Sequence, residues 1–125
     1  MQYQFISQDR LLIVKLSGAV CPESWRAVFT EAEQAYIGAD YSRFLVDGSG
    51  LTGFNIDHSE CQKLARGFMS FARKGAFFSQ DPLVFGMMRV IHSYSNNEQF
   101  KVFKTSAQAM AFLLDHSPDC VTLAT

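Results

Sequence analysis

The residues with the clearest chemical potential follow a short apolar run and precede a predicted helix start. They spell Gly48-x-Gly50-x-x-Gly53, the string with which dinucleotide-binding proteins bring the backbone close to a pyrophosphate at a helix N-terminus. Here the helix start is delayed to Asp57, and residues 74–78, about 20 positions onward, supply no carboxylate for a ribose. We therefore expect the glycines to form a flexible turn, and we predict no cofactor.

The polar residues after the glycines indicate a helix N-terminus. Asp57 followed three residues later by Glu60 predicts a capping box. Ser59 falls in the first turn, where free amides and the helix dipole favour a phosphate. Asp57 and Glu60 would oppose that added negative charge. Capping alone accounts for these residue types, and phosphorylation of Ser59 stays an alternative.

An acid–base site is a further alternative. Asp47, His58, Ser79 and Asp81 are all expected near the carboxyl edge of the predicted sheet. A Ser-His-Asp arrangement can be built from these types, but their spacing sets no mutual geometry and no nucleophile elbow is present. Binding without catalysis is therefore the preferred interpretation, and an enzyme that uses Asp47 and His58 is kept as the second alternative.

Composition excludes several classes of protein. The chain has 125 residues, 48% hydrophobic and 18% charged, which predicts a single globular domain over residues 1–125. Eleven basic and twelve acidic residues give a net charge of −1, so no bulk field favours nucleic acid or an anionic membrane. The N-terminus lacks a signal-peptide pattern and no segment is long enough to cross a bilayer, so we expect a cytoplasmic protein.

The cysteines and histidines predict neither a disulfide framework nor a metal site. Cys21, Cys61 and Cys120 are odd in number and widely separated, with no Cys-x-x-Cys pair. His92 and His116 fall on predicted helices, and three scattered histidines do not match metal-ligand spacing. We expect reduced thiols and no metal.

Hydrophobic periodicity and turn signals predict alternating strands and helices. The predicted strands are 2–7, 11–17 (ended by Gly18), 43–47, 76–80 and 99–103. The predicted helices are 22–38, 57–75, 82–95 and 105–115. A tail at 119–125 follows and could add a short edge strand. The order ββαβαβαβα predicts an α/β fold. Its sheet is mostly parallel, with an antiparallel N-terminal hairpin and about four helices.

Each predicted helix carries an apolar stripe toward the core. The stripes are Trp25, Val28, Phe29, Ala32 and Tyr36 on the first helix; Cys61, Leu64, Ala65, Phe68 and Ala72 on the second; Val84, Met87, Met88 and Ile91 on the third; and Ala107, Met110, Ala111 and Leu114 on the fourth. Lys63, Arg66, Arg73 and Lys74 fall roughly on one face of the second helix. That face is either solvated or a docking face for an acidic partner.

Short motifs in this order resemble the SpoIIAA-like branch of the STAS (sulphate transporter and anti-sigma-factor antagonist) superfamily. The motifs are Phe44-Leu-Val-Asp47, Ala76-Phe-Phe78, Phe85-Gly-Met-Met-Arg89, Val102-Phe103, Ala109 and Phe112-Leu113. The resemblance covers nearly the whole chain and implies a STAS-like fold. In anti-sigma factor antagonists of this kind, an Asp-Ser-Ser-Gly motif opens the helix after the central strand and its second serine is phosphorylated. Asp57-His58-Ser59-Glu60 occupies that place, where Asp57 and Ser59 match.

These observations favour a non-catalytic regulatory or protein-interaction domain. Its candidate partner or ligand surface is Asp47, Ser49, Phe54, Asp57, His58, Ser59 and Phe77. The first alternative is a carrier or sensor of a small apolar, lipid-like ligand held near Phe54 and Phe77. The expected partner is accordingly a protein or an apolar small molecule, with no nucleic acid, and a homo-oligomer is compatible with the sequence.

Overall fold

The computed structural model describes residues 1–66 and 69–115, and within them the order ββαβαβαβα is confirmed. The elements are β1 (Gln2–Gln8), β2 (Leu11–Val20), α1 (Pro22–Ile37), β3 (Arg43–Phe54), α2 (His58–Ala65), β4 (Gly75–Phe78), α3 (Pro82–Ser95), β5 (Phe100–Phe103) and α4 (Ser106–Leu113). The predicted tail at 119–125, together with Phe68, His116 and Cys120, lies outside the described residues.

The five strands form one sheet in the order β1-β2-β3-β4-β5. Strand β1 is antiparallel to β2, and the other neighbouring pairs are parallel. Asp9 and Arg10 connect the hairpin with φ of 47° and 65°, the positive values that a two-residue turn between twisted strands requires. The predicted sheet, mostly parallel with an antiparallel N-terminal hairpin, is confirmed.

Helices cover the two faces of the sheet unequally. One core cluster joins α1, α2 and α3 to strand residues that include Phe44, Val46 and Phe77. A smaller cluster joins Ala109 and Leu113 of α4 to strand residues on the other face. Because successive strand residues point to opposite faces, β3 is buried on both sides over its first half. Its neighbouring side chains therefore serve different layers.

The glycine string is not a turn, and that prediction was wrong. Strand β3 runs through Gly48, Gly50 and Gly53 to Phe54, and it pairs with β2 as far as Val20. Two register shifts interrupt this pairing, as expected where an extra residue forms a β-bulge. At Gly50 the two backbones approach closely, since a Cβ there would lie 2.8 Å from the carbonyl oxygen of Leu16. Strand β2 likewise continues past Gly18, which has φ of 89°.

Gly48 of β3 lies against the Phe77 ring of the neighbouring strand β4. A Cβ at this position would be 2.4 Å from Cζ of Phe77 and 3.0 Å from the carbonyl oxygen of Phe78. Phe77 itself is fully buried, so its ring has no open space to move into. Only a residue without a side chain fits between β3 and this ring.

The second helix is shorter than predicted. It ends at Ala65 rather than near residue 75, and Arg66 already has an extended backbone. Met69 has φ of 54°, a left-handed conformation that no residue of a continuing helix adopts. Ala72 is buried, as its place in the predicted stripe requires, but it lies outside any helix.

Helix α4 buries a different face from the predicted one. Ala109 and Leu113 are fully buried, whereas Ala107, Ala111 and Leu114 are exposed. The sheet determines which face of α4 is buried, because α4 packs on the small cluster at β4 rather than on the main core. The stripes of α1 and α3 are confirmed, with Phe29 and Met87 half-buried at their edges.

We expect Gly48→Ala to lower the free energy of unfolding by about 1–3 kcal/mol, because the added methyl group overlaps the Phe77 ring. Gly53→Ala is the matched control in the same strand, since a Cβ there meets nothing within 4 Å. Its unfolding free energy should change by no more than about 0.5 kcal/mol. Urea unfolding of both variants measures the difference, and equal stabilities would contradict the close-approach account.

Candidate functional site

The start of α2 is held by two sets of polar contacts. Oδ1 of Asp57 accepts a hydrogen bond from the Glu60 amide at 2.8 Å, which confirms Asp57 as the N-cap. The Glu60 carboxylate does not complete the predicted capping box. It pairs instead with the Arg26 guanidinium at 3.0 Å and with Lys63 Nζ at 3.6 Å. Glu60 therefore ties the first turn of α2 to α1.

His58 joins the same turn to α3. Its ring meets the ring of Tyr94 edge-on, with centroids 5.5 Å apart, and the Tyr94 hydroxyl lies 3.2 Å from Nε2. His58 and the neighbouring Ser59 are both exposed. Sequence reasoning did not identify Tyr94 as part of the site, although it extends the stripe of α3 through Met87.

Exposed apolar side chains continue from this contact along α3. Tyr94 is 40% exposed and Val90 is 38% exposed, one helical turn apart on the same side of the helix. We call Asp57, His58, Ser59, Val90 and Tyr94 the α2–α3 surface. Spacing alone could have suggested Val90 and Tyr94, since they follow Leu83 and Met87 at helical intervals.

Asp47 and Ser49 lie on β3, outside the α2–α3 surface. Oδ1 of Asp47 accepts hydrogen bonds from the Ser49 amide at 2.9 Å and from its hydroxyl at 2.6 Å. Asp47 is aligned with Lys15 and Phe78, so its side chain is on the α4 side of the sheet. There it borders a polar depression of about 340 Å³ over β1, β2 and β3. The structure does not bring Asp47 and Ser49 together with Asp57–Ser59.

The two phenylalanines of the predicted surface pack inward. Phe77 is fully buried in the main core, so its placement on a surface or in a ligand cleft was wrong. Phe54 is not in a loop but at the end of β3, half-buried with its ring centroid 5.9 Å from that of Trp25. The pair does not line an open cleft beside α2, because Phe77 is fully buried in the packed core.

The alternative acid–base constellation is not assembled. Asp47 and His58 belong to opposite sides of the sheet, since α2 packs with the main core. Ser79 is 1% exposed, and its hydroxyl accepts from the Asp81 amide. Oδ1 of Asp81 accepts from the amides of Leu83 and Val84, so Asp81 serves as the N-cap of α3.

Burial raises the pKa of the Cys61 thiol, and the Asp57 carboxylate adds to this effect. The thiol is therefore protonated and weakly nucleophilic at neutral pH. Within residues 1–66 and 69–115, no three His, Cys, Asp or Glu side chains are grouped as they would be around a metal ion.

The predicted face of four cations is divided by the early end of α2. Lys63 belongs to the helix and Arg66 follows it, but Arg73 and Lys74 lie beyond it. The Lys74 ammonium donates to the Asp115 carbonyl at 3.2 Å and lies 4.6 Å from the Phe112 ring centroid, near α4. Burial there lowers the pKa of Lys74. Lys63 is instead linked to Arg26, because both cations pair with the Glu60 carboxylate.

Comparison with solved structures identifies the fold. The unphosphorylated anti-sigma factor antagonist SpoIIAA matches with a TM-score of 0.60 and 11% identity, over 87% of this chain and 93% of that one. An anti-sigma factor antagonist from Mycobacterium paratuberculosis matches with a TM-score of 0.66 and 16% identity, over 91% of this chain and 94% of that one. A protein of the DUF3478 family from Shewanella loihica PV-4, with a SpoIIAA-like fold, matches with a TM-score of 0.58 and 20% identity. The match covers 90% of this chain and 92% of that one.

These matches show that the chain has a SpoIIAA-like, STAS-type fold, as its motifs implied. No protein-family model matches the chain, and no curated protein matches it in sequence. Among the described residues, none of the helices has the length and apolar character needed to cross a membrane.

We expect Asp57→Ala to lower the free energy of unfolding by about 1 kcal/mol, because the Glu60 amide loses its acceptor. Asp57→Asn keeps an acceptor at the same position and should stay within about 0.5 kcal/mol of the parent. Urea unfolding distinguishes the two variants. If Asn is as destabilising as Ala, the side chain acts through its charge and not as a hydrogen-bonded cap.

Proposed function

We propose that this chain is a non-catalytic regulatory or protein-interaction domain that binds a partner protein through the α2–α3 surface. The observation that carries the proposal is the exposure of Val90 and Tyr94 on α3, where Tyr94 contacts the exposed His58. Val90 and Tyr94 leave a substantial part of their apolar surface in water, whereas the next residues of α3 toward the core, Met88 and Ile91, are fully buried.

The composition of this surface suits a protein partner. Interface cores are enriched in aromatic side chains, and a tyrosine at the centre contributes apolar area and a hydroxyl for hydrogen bonding. Tyr94 has such a place, with the polar first turn of α2 on one side and Val90 on the other. The fold is shared with two anti-sigma factor antagonists, which supports a regulatory role of the same general kind.

Ser59 is the proposed point of regulation within the α2–α3 surface. It is exposed in the first turn of α2, and Lys63 follows it at the i+4 position, one turn along the helix. A phosphate on Ser59 would compete with Glu60 for the Lys63 ammonium and would add negative charge next to His58, whose ring contacts Tyr94. Both effects would change the affinity of the surface for a partner.

A cytoplasmic location is proposed with this function. Cys21 and Cys61, the cysteines within the described residues, are both free, as is usual in a reducing compartment. The near-balanced charge supports a protein partner over a nucleic acid.

Val90→Asp should reduce capture of the partner from the producing cells about tenfold, because it places a charge in the apolar part of the interface. Ile37→Asp is the matched control, since Ile37 is 66% exposed at the far end of α1 and undergoes the same change of chemistry. Quantitative mass spectrometry of material captured on the tagged full-length chain gives the ratio for each co-purifying protein.

Support requires one protein to be lost with Val90→Asp and also reduced with Ser59→Asp, while Ile37→Asp retains it. Equal capture by all three variants would sink the α2–α3 surface as the interface. Loss with Ile37→Asp as well would contradict it too, since the effect would then be nonspecific. If the captured protein is the chain itself, the partner is a second copy and the proposed regulatory partner is wrong.

A further inference from the structure

The sheet has one long edge strand whose outer side is unpaired in the described part of the chain. Strand β1 is the first strand of the sheet and pairs only with β2. Its backbone forms no other backbone hydrogen bond within residues 1–66 and 69–115. Alternate residues of β1 therefore present their N–H and C=O groups to solvent along the edge. Such an edge can accept a further strand.

Strand β1 lacks the features with which natural proteins protect an edge. Its seven residues, Gln2–Gln8, include no charged residue and no proline, and its register with β2 is continuous, without a bulge. The opposite edge is protected in the usual way, since β5 has only four residues and carries the exposed Lys101. The two edges are therefore unlike, and β1 is the one suited to strand addition.

Both faces of the sheet leave space beside β1. The Tyr3 hydroxyl donates to Oε1 of Glu31 at 3.0 Å, which identifies the side of α1 that is turned toward β1. The residues that share this side with Glu31 at helical intervals are small, namely Ser24, Ala27 and Ala35. On the other face, β1 borders the polar depression that extends over β2 and β3. An added strand therefore has room above and below the sheet.

A second copy of β1 suits this edge. Because β1 carries no charge, two antiparallel copies place no like charges opposite one another in any register. A two-fold axis at Phe5 would set the two copies of Phe5 opposite each other, and Gln4 of each copy opposite Ile6 of the other. Phe5 and Ile6 are half-buried in the single chain, so this pairing covers apolar surface at the centre of the strand.

We propose that β1 pairs with β1 of a second copy in an antiparallel, two-fold symmetric dimer, which joins the two five-stranded sheets into one. The inference goes beyond the proposed partner binding, because the edge of β1 shares no residue with the α2–α3 surface. Each dimer carries two such surfaces, since α3 packs on β3 and β5 rather than on β1. One strand pair buries little area, so we expect a dissociation constant of about 10–100 μM.

Sedimentation equilibrium of the full chain measures this association. The glutamines of β1, Gln2, Gln4 and Gln8, are all exposed. Replacing all three by Glu, or all three by Lys, should weaken self-association at least about tenfold, because like charges then meet across the two-fold axis. An equimolar mixture of the Glu and Lys variants should recover the parental dissociation constant to within about twofold, since opposite charges now pair. That recovery also requires both variants to be folded.

The matched control replaces three exposed glutamines outside β1, Gln34, Gln62 and Gln99, by Glu or by Lys. These variants carry the same net charges as the β1 variants but should keep the parental dissociation constant, as should Val90→Asp. Three results would overturn the proposal: no self-association up to about 1 mM, equal weakening by the control variants, or no recovery in the mixture.

Loss of self-association with Val90→Asp would also contradict the β1 dimer, because the second copy would then be bound at the α2–α3 surface. The proposed function is tested separately, since a regulatory partner lost with Val90→Asp should be captured normally by the β1 variants.

Discussion

The contact between Gly48 of β3 and the Phe77 ring of β4 is the one on which the arrangement of this protein depends. No Cβ fits at Gly48, and the ring beneath it is fully buried. Because Gly48 leaves room for the ring, β3 continues past this point to Phe54 and stays paired with β2. Leu51 and Ile56 then reach the main core, and the chain enters α2 directly afterwards.

The long β3 also separates residues that are close in sequence. Asp47 and Ser49 face the α4 side of the sheet and satisfy one another, whereas Asp57 caps α2 on the opposite side. A sheet makes this separation unavoidable, because alternate side chains of one strand serve opposite layers. The polar residues between Asp47 and Ser59 therefore form two sites rather than one, and only the second is next to exposed apolar surface on α3.

Local signals predicted the helix starts and the order of the elements well. Asp57 caps α2 as expected, and Asp81 and Thr105 cap α3 and α4 close to where those helices were expected to begin, since each interaction involves only residues within one turn. Non-local features were predicted poorly. The apolar spacing continued past Ala65, but the left-handed Met69 shows that the chain has left the helix there. The α4 stripe was assigned to the wrong face, because which side of that helix meets β4 depends on the sheet and not on its own residues.

The sequence alone determined the fold class, the hairpin, the approximate starts of the helices, the N-cap at Asp57, and Asp57, His58 and Ser59 as a polar helix start. All of these follow from contacts between residues near one another in the chain, or from periodicity within one element. Only the tertiary structure decided that the glycine string is a bulged strand, that Phe77 is buried and that Tyr94 adjoins His58. Each of these depends on the approach of segments distant in sequence, and the deciding quantity, the space left between them, is a property of the packed structure.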